Sequence, residues 1–486
     1  MRLLLITLLL FTSAVYGEKD KSIIKQKLNC NMTVKYIKKP KQIDSMEDFL
    51  DNGIFYGRIR LNNFLFDAGD VGEDHYIAGL GGSLIYKSAF FNGFSFTSGL
   101  YTSQNFGETK RELAGAYKGG KDVLNRYDVA TNDDYGLTTM AQIYGEYKTR
   151  KTQIKVGRFP LETFLLKSND TKMIPNTFEG LYFKSRVIPK TSFQVAYITK
   201  QKLRDKRSFH HVLAYGDNAD DPYSKWREND DSGMHRGLTL SKLNEKNIDD
   251  NIILLEVKNQ SIENTILTAN YTAVPELLSS FTVEGKHKIL VSEDFRVIPS
   301  LRYMQQFDDG AGEIAGANLK NNTVAYTDPN SLSASLVAGR IDFVYDESSI
   351  RLGYTKIEDD GDIVAPWRGL PTAGYSRAMG QTNWYANTES YMIRADYDFS
   401  KTGMVEGLRG MMRYTVNDFD DEKAGVQADN TVLTFDLIKR FENIPNLSAK
   451  LRTAFVNSNG DTIAQDGSIK PDSSYNEVRL EMNYLF

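Results

Sequence analysis

The chain closes on Tyr475-Asn476-Glu477-Val478-Arg479-Leu480-Glu481-Met482-Asn483-Tyr484-Leu485-Phe486. Val478, Leu480, Met482, Tyr484 and Phe486 are apolar at alternate positions, with Glu477, Arg479, Glu481 and Asn483 polar between them. A period of two puts the two sets on opposite faces of a β-strand. The run is longer than an ordinary strand of about 5–6 residues. It matches the roughly 9–11 residues a strand needs to cross a bilayer with lipid on one face and water on the other.

The same alternation recurs upstream, near 54–64, 76–88, 94–104, 136–148, 153–159, 178–188, 192–200, 250–258, 263–273, 280–289, 295–306, 334–344, 350–357, 390–399, 408–416, 431–440 and 447–456. With 475–486 that makes about 18 segments, an even number, as a single-chain bacterial barrel requires. Connections at 149–152, 189–191 and 346–349 are tight, whereas 105–135, 306–332 and 358–389 are long and rich in Gly, Asp and Asn. Short periplasmic turns and long extracellular loops belong to an outer-membrane barrel. The expected fold is therefore all-β, a transmembrane antiparallel β-barrel over 51–486. Residues 236–243 could pass as a further strand, but counting them would reverse the sides of every later connection. They are assigned to one long outer loop, 201–249.

Composition agrees with this reading. A mean hydropathy of −0.42 is too polar for a helical membrane protein, while Tyr (27) and Phe (26) are plentiful. A formal net charge of −4 gives no basic field for nucleic acid. At the N-terminus, Arg2 precedes an apolar run, Leu3-Leu4-Leu5-Ile6-Thr7-Leu8-Leu9-Leu10-Phe11, with small residues at Ala14 and Gly17. That pattern is a secretory signal peptide over 1–17, too short for the roughly 20 apolar residues of a spanning helix. Residues 18–50 are polar and Lys-rich and are expected to form a periplasmic N-terminal extension. Cys30 is the single cysteine and has no internal disulfide partner. The five histidines lack metal-ligand spacing. Acidic clusters at 217–221 and 359–362 could hold Ca²⁺ in outer loops, but no EF-hand pattern follows, so no cofactor or metal site is expected. No nucleophile elbow or Ser/His/Asp order suggests an enzyme.

Gly157-Arg158-Phe159-Pro160, followed by Ser168-Asn169-Asp170-Thr171-Lys172-Met173-Ile174-Pro175-Asn176-Thr177-Phe178-Glu179-Gly180, resembles the OprD-like family of substrate-specific outer-membrane porins. A second match runs from Ala365-Pro366-Trp367 to Tyr375, with Tyr385-Ala386-Asn387-Thr388 and Tyr397-Asp398-Phe399. The resemblance implies an 18-stranded barrel, an inward-folded constriction loop, a basic ladder along the pore wall, and diffusion of small, usually carboxylate-bearing nutrients. The Lys-rich extension and the 201–249 loop depart from the family pattern. The expected partners are small solutes, outer-membrane lipid and the barrel assembly machinery, to which the aromatic end at Tyr484 and Phe486 would be the signal. The barrel could be a monomer or a homotrimer. The competing reading is a receptor, adhesin or structural barrel without an open channel. Energy-coupled receptors need a large plug domain, and only 18–50 precedes the barrel.

Strand parity gives a lumen set directly from the residues. It places Arg479 inside on the last strand, Lys450 and Arg452 on 447–456, Arg409 and Arg413 on 408–416, and Arg58 and Arg60 on the first strand. Closure makes the first strand a neighbour of the last, so these seven cations lie on one arc of wall. They could form an anion-guiding ladder or a paired network in which Asp436, Glu477 and Glu481 neutralise them. In the 160–177 loop, Lys167, Asp170 and Lys172 are the expected constriction residues.

Overall fold

The computed structural model describes residues 26–37, 40–107, 109–117, 121–401 and 403–486; the expected signal peptide at 1–17 lies outside them. Strands β1 (Ile54–Asp67), β2 (His75–Lys87), β3 (Phe94–Asn105), β4 (Gly136–Lys148), β5 (Thr152–Phe159) and β6 (Thr177–Ser185) lead the wall. They continue through β7 (Thr191–Lys202), β8 (Ile252–Asn259), β9 (Thr265–Val274), β10 (Leu278–His287), β11 (Phe295–Asp308) and β12 (Ala334–Tyr345). The circuit ends with β13 (Ser348–Ile357), β14 (Thr388–Asp398), β15 (Leu408–Asp418), β16 (Asn430–Arg440), β17 (Leu447–Ser458) and β18 (Tyr475–Leu485). Each pairs antiparallel with its neighbour, and β18 pairs with β1, Leu485 opposite Arg58 and Asn476 opposite Asp67. The result is a closed barrel of 18 strands. The Phe486 N–H donates to Gly57 O at 3.2 Å and the Gly57 N–H to Phe486 O at 3.0 Å, sealing the seam.

Burial is inverted relative to a water-soluble protein, as a bilayer solvent demands. Phe55 and Ile59 on β1 are 65% and 54% exposed, while Arg58 and Arg60 are each 1% exposed. Connections at the end holding both Ile54 and Leu485 are short, for example 149–151, 186–190 and 346–347. At the other end they are mostly long, including 106–135, 203–251, 309–333 and 358–387, although 68–74 and 275–277 are brief. The 236–243 segment stays out of the wall: Leu240–Lys246 is a short helix inside the long loop.

The largest apolar cluster lies where outer loops meet the interior wall. Leu165, Leu166, Val212, Leu213, Trp367 and Trp384 are all buried in it. Three loops are stitched together by backbone bonds, Lys167 N–H to Trp367 O at 3.0 Å, Gly369 N–H to Leu165 O at 2.7 Å and Ala365 N–H to Gly233 O at 3.0 Å. Trp367 Nε1 adds a bond to Val212 O at 2.9 Å. Residues 26–36, part of the expected periplasmic N-terminal extension, pack against inward-facing groups of β1. The hairpin's Val34 and Tyr36 find apolar cover there beside Tyr56.

Candidate functional site

The segment between β5 and β6 folds into the barrel, and its motif residues explain how. Gly157 lies opposite Gly180 in the β5–β6 ladder. Gly157 has φ +116°, a conformation that side chains disfavour, and a Cβ on Gly180 would sit 2.0 Å from Tyr197 O. The ladder to β7 shifts register between Glu179 and Gly180, and such bulges bend a strand. Beyond the bend the loop closes on Ser168. Its N–H donates to Leu161 O at 3.0 Å, its Oγ accepts from Leu161 N–H at 3.0 Å, and its carbonyl accepts from Asn176 N–H at 2.8 Å. Leu161, Leu165 and Leu166 bury the apolar half of the loop against the wall.

The polar half reaches across the lumen to β1. Asp170 pairs with Arg58, and its Oδ1 accepts from Arg60 Nη1 at 2.9 Å, with all three side chains at most 1% exposed. Lys172 is buried with its Nζ 4.0 Å from the centre of the Phe64 ring, and burial holds its ammonium well below the ordinary lysine range. Lys167 also sits low because of burial, although the nearby Glu162 opposes the shift. Glu162 is pushed up by burial while it accepts the Ser168 N–H at 2.9 Å. Of the three expected constriction residues, Asp170 acts as a staple between loop and wall. Glu162 was missed from the sequence, where it is the one charged residue in the largely apolar run 160–166.

All seven expected cations lie on the β15–β18–β1 arc, and carboxylates meet most of them. Arg60 Nη2 reaches Glu481 at 2.8 Å. Lys450 Nζ is 3.0 Å and Arg452 Nη2 2.5 Å from Asp436. Arg479 Nη2 donates to Glu477 at 2.7 Å. Arg409 stands at the short-turn end, 3.9 Å from Glu347, and is half exposed. Arg413 differs: its Nη1 donates to the Arg377 backbone O at 3.2 Å. Among the described residues it has no carboxylate within ion-pair distance.

Parity extends this arc beyond the seven. Arg302 on β11, Arg340 on β12, Arg351 on β13 and Arg394 on β14 also turn inward, each flanked by a lipid-facing residue, and the same alternation would have found them. Arg351 lies opposite Arg394, and Arg394 opposite Arg413, so three guanidinium groups stand side by side on adjacent strands. Like charges directly across a ladder repel. Asp342 pairs with Arg351, and Asp396 binds Arg394 Nε and Nη2 at 2.7 Å each. Arg377 of the 358–387 loop closes over this row, and burial lowers it to about 10. Among the described residues, Nε of both Arg377 and Arg413 is buried without a hydrogen-bond partner. The four arginines, with Tyr375 and Met392, line a cavity of about 190 Å³.

The remaining expected groups are more widely placed. Tyr484 and Phe486 face outward at the β18–β1 seam, each 42% exposed. Among the described residues no group of three or more His, Cys, Asp or Glu side chains could hold a metal ion. Of the acidic clusters, Asp217 accepts the Ser241 N–H at 3.1 Å, and Asp362 accepts Leu319 N–H, Ala386 N–H and Tyr326 O–H at 2.8 Å each.

A closed barrel with an apolar outside, a charged inside and a loop folded across the lumen defines an outer-membrane porin. The chain belongs to the OprD family: it matches the profile described as outer membrane porin, OprD family, over residues 112–486. Members are channels, not enzymes, of the Gram-negative outer membrane. Among solved structures, Pseudomonas aeruginosa OpdK with vanillate is 17% identical with a TM-score of 0.66, covering 90% of this chain and 99% of that one. Acinetobacter baumannii OccAB3 is 17% identical with a TM-score of 0.67, covering 89% and 99%. P. aeruginosa OccK2 (OpdF) in complex with glucuronate is 15% identical with a TM-score of 0.63, covering 90% and 99%. At these identities the likeness establishes the fold. No curated protein matches the chain.

Proposed function

We propose that the chain passes small hydrophilic solutes bearing a carboxylate, by passive diffusion along the basic arc of its lumen. The observation that carries this reading is the lateral row Arg351–Arg394–Arg413 beneath Arg377, lining a cavity where, among the described residues, Arg377 and Arg413 have no carboxylate within ion-pair distance. A guanidinium with free N–H groups offers a carboxylate two parallel hydrogen bonds, which lysine does not. Vanillate and glucuronate, named with two structural neighbours, both carry carboxylates. In this reading Arg58, Arg60, Lys450, Arg452 and Arg479 shape the field beside the row. Lys167, Asp170 and Lys172 set the constriction, and the barrel from 51 onward follows a cleaved leader at 1–17.

The test is a planar-bilayer measurement on Arg377→Gln/Arg413→Gln. Reversal potential in a salt gradient should move toward cations, and uptake of glucuronate into proteoliposomes should slow. Reversal potential and uptake both equal to wild type, in an assembled barrel, would overturn the reading. Absence of conductance steps from the wild-type protein would favour a receptor or structural barrel.

A further inference from the structure

The hairpin upstream of the barrel contributes to the lumen. Gln26–Leu28 pairs antiparallel with Val34–Tyr36, Lys27 opposite Lys35. Its tip is closed by Asn29 N–H to Thr33 O at 3.0 Å, with Met32 at φ +66°. That tip reaches three inward groups. Arg58 Nη1 donates to Met32 O at 2.7 Å, Asp170 N–H donates to Asn31 O at 2.7 Å, and the Asn31 amide donates to the Glu162 carboxylate. The Tyr36 ring lies 5.5 Å from that of Tyr56, which alternates inward on β1 with Arg58. Downstream, Gln42–Ile43 runs parallel to Phe90–Phe91 in the short turn after β2, so the chain leaves by the periplasmic mouth. The hairpin lies outside residues 112–486, the part that matches the family.

We propose that this hairpin is a built-in pore insert that narrows the periplasmic exit and supplies its charge. The inference rests on the channel reading above. By bonding Arg58 through Met32 O, the hairpin removes that guanidinium from solvent. In its place it presents Lys27 and Lys35, cross-strand partners that are both exposed. Two like charges directly opposite destabilise a ladder, so an isolated hairpin gains nothing from them. At a pore exit they extend the basic path to the last point an anion passes. Spaced, weakly holding cations are the arrangement that lets an ion move on.

Two variants test the two halves of the proposal. Deleting residues 26–36 should raise single-channel conductance about twofold or more, because a wider exit conducts faster. Lys27→Gln/Lys35→Gln should move reversal potential toward cations, and an unmoved reversal potential in that variant would overturn the charge half of the proposal. Should the deletion fail to assemble, Cys30 at the exposed tip provides a measurement on the folded full chain. A sulfonate-bearing thiol reagent added from the periplasmic side should lower conductance in discrete steps and reduce anion preference, with Cys30→Ser insensitive. Unchanged current in an assembled deletion mutant, or after complete Cys30 modification confirmed by mass, would overturn the proposal. If Arg377→Gln/Arg413→Gln still alters selectivity in that case, only the insert falls. If wild type and deletion are both silent, the channel reading falls and the insert with it.

Discussion

Asp170 is the residue whose neutralisation should disturb the constriction most while sparing the wall. Its carboxylate is 1% exposed and lies between Arg58 and Arg60, both wholly buried. Asp170→Asn keeps the volume and removes the charge. Breaking a buried ion pair by neutralising one partner costs about 3–5 kcal/mol, because the other charge stays buried and unpaired. Arg60 retains Glu481 at 2.8 Å and Arg58 retains the Met32 carbonyl at 2.7 Å, so the lower end, about 3 kcal/mol, applies. At about 1.4 kcal/mol per factor of ten, that is a roughly hundredfold loss in the ratio of docked to undocked loop. Two backbone contacts remain, Arg60 Nη2 to Asp170 O at 3.0 Å and Asp170 N–H to Asn31 O at 2.7 Å. The loop should therefore fluctuate rather than leave. Single-channel recordings of the variant should show open-level flicker and a higher mean conductance, while the heat-modifiable barrel persists because its ladders are untouched. An assembled Asp170→Asn barrel with wild-type conductance and quiet open levels would refute the staple argument.

Two further outcomes follow from the periphery. His211 Nδ1 lies 2.8 Å from Asp250, which also accepts Leu213 N–H at 2.6 Å and Ala214 N–H at 2.9 Å, and this hydrogen bond raises His211 above its ordinary 6.5. Its contribution to anchoring the 203–251 loop is therefore complete below pH 6.5 and lost as pH rises through the higher folded value. Limited proteolysis of that loop should accelerate over this interval in wild type and lose the dependence in His211→Ala. Phe486→Asp places a charge on the lipid-facing side of the seam, where the ring now covers Gly57. Heat-modifiable barrel in outer-membrane fractions should fall sharply, and a normal amount would count against an assembly role.

The wall was legible because a barrel strand carries its environment in its own sequence. The alternation of Val478, Leu480, Met482 and Tyr484 needs no knowledge of any other strand, and the even count fixed which connections face outward. The acids Asp436, Glu477 and Glu481 were legible as partners for the same reason, since they share parity and strand neighbours with Arg452, Arg479 and Arg60. The interior was much less so. Asp170 and Arg60 are 110 residues apart, and their meeting depends on the bend at Gly157 and Gly180. Trp367 gave no sign that it would cover Val212. The 26–36 hairpin was not legible within the Lys-rich extension, because its apolar Val34 and Tyr36 find their cover inside the barrel.

The sequence left two possibilities for the basic arc, a ladder for anions or a paired network, and the geometry makes these compatible. Asp342 serves both Arg340, at 3.2 Å, and Arg351. Asp436 serves Lys450 at 3.0 Å and Arg452 at 2.5 Å, and Glu284 serves Lys286 at 2.5 Å together with Arg302. In each trio one carboxylate holds two cations in place and neutralises one of them, so a surplus positive charge remains on the wall. Arg58 and Arg60 differ, since Asp170 and Glu481 together balance them. The surplus is thus carried along β10 to β17, away from the β18–β1 seam and beside Arg413 and Arg377, where low-dielectric walls focus it into the lumen. A shared carboxylate also competes with any passing anion for the same N–H donors. That competition keeps each contact releasable, which a row of unpaired arginines would not. The acids on the arc are therefore part of how it would conduct anions.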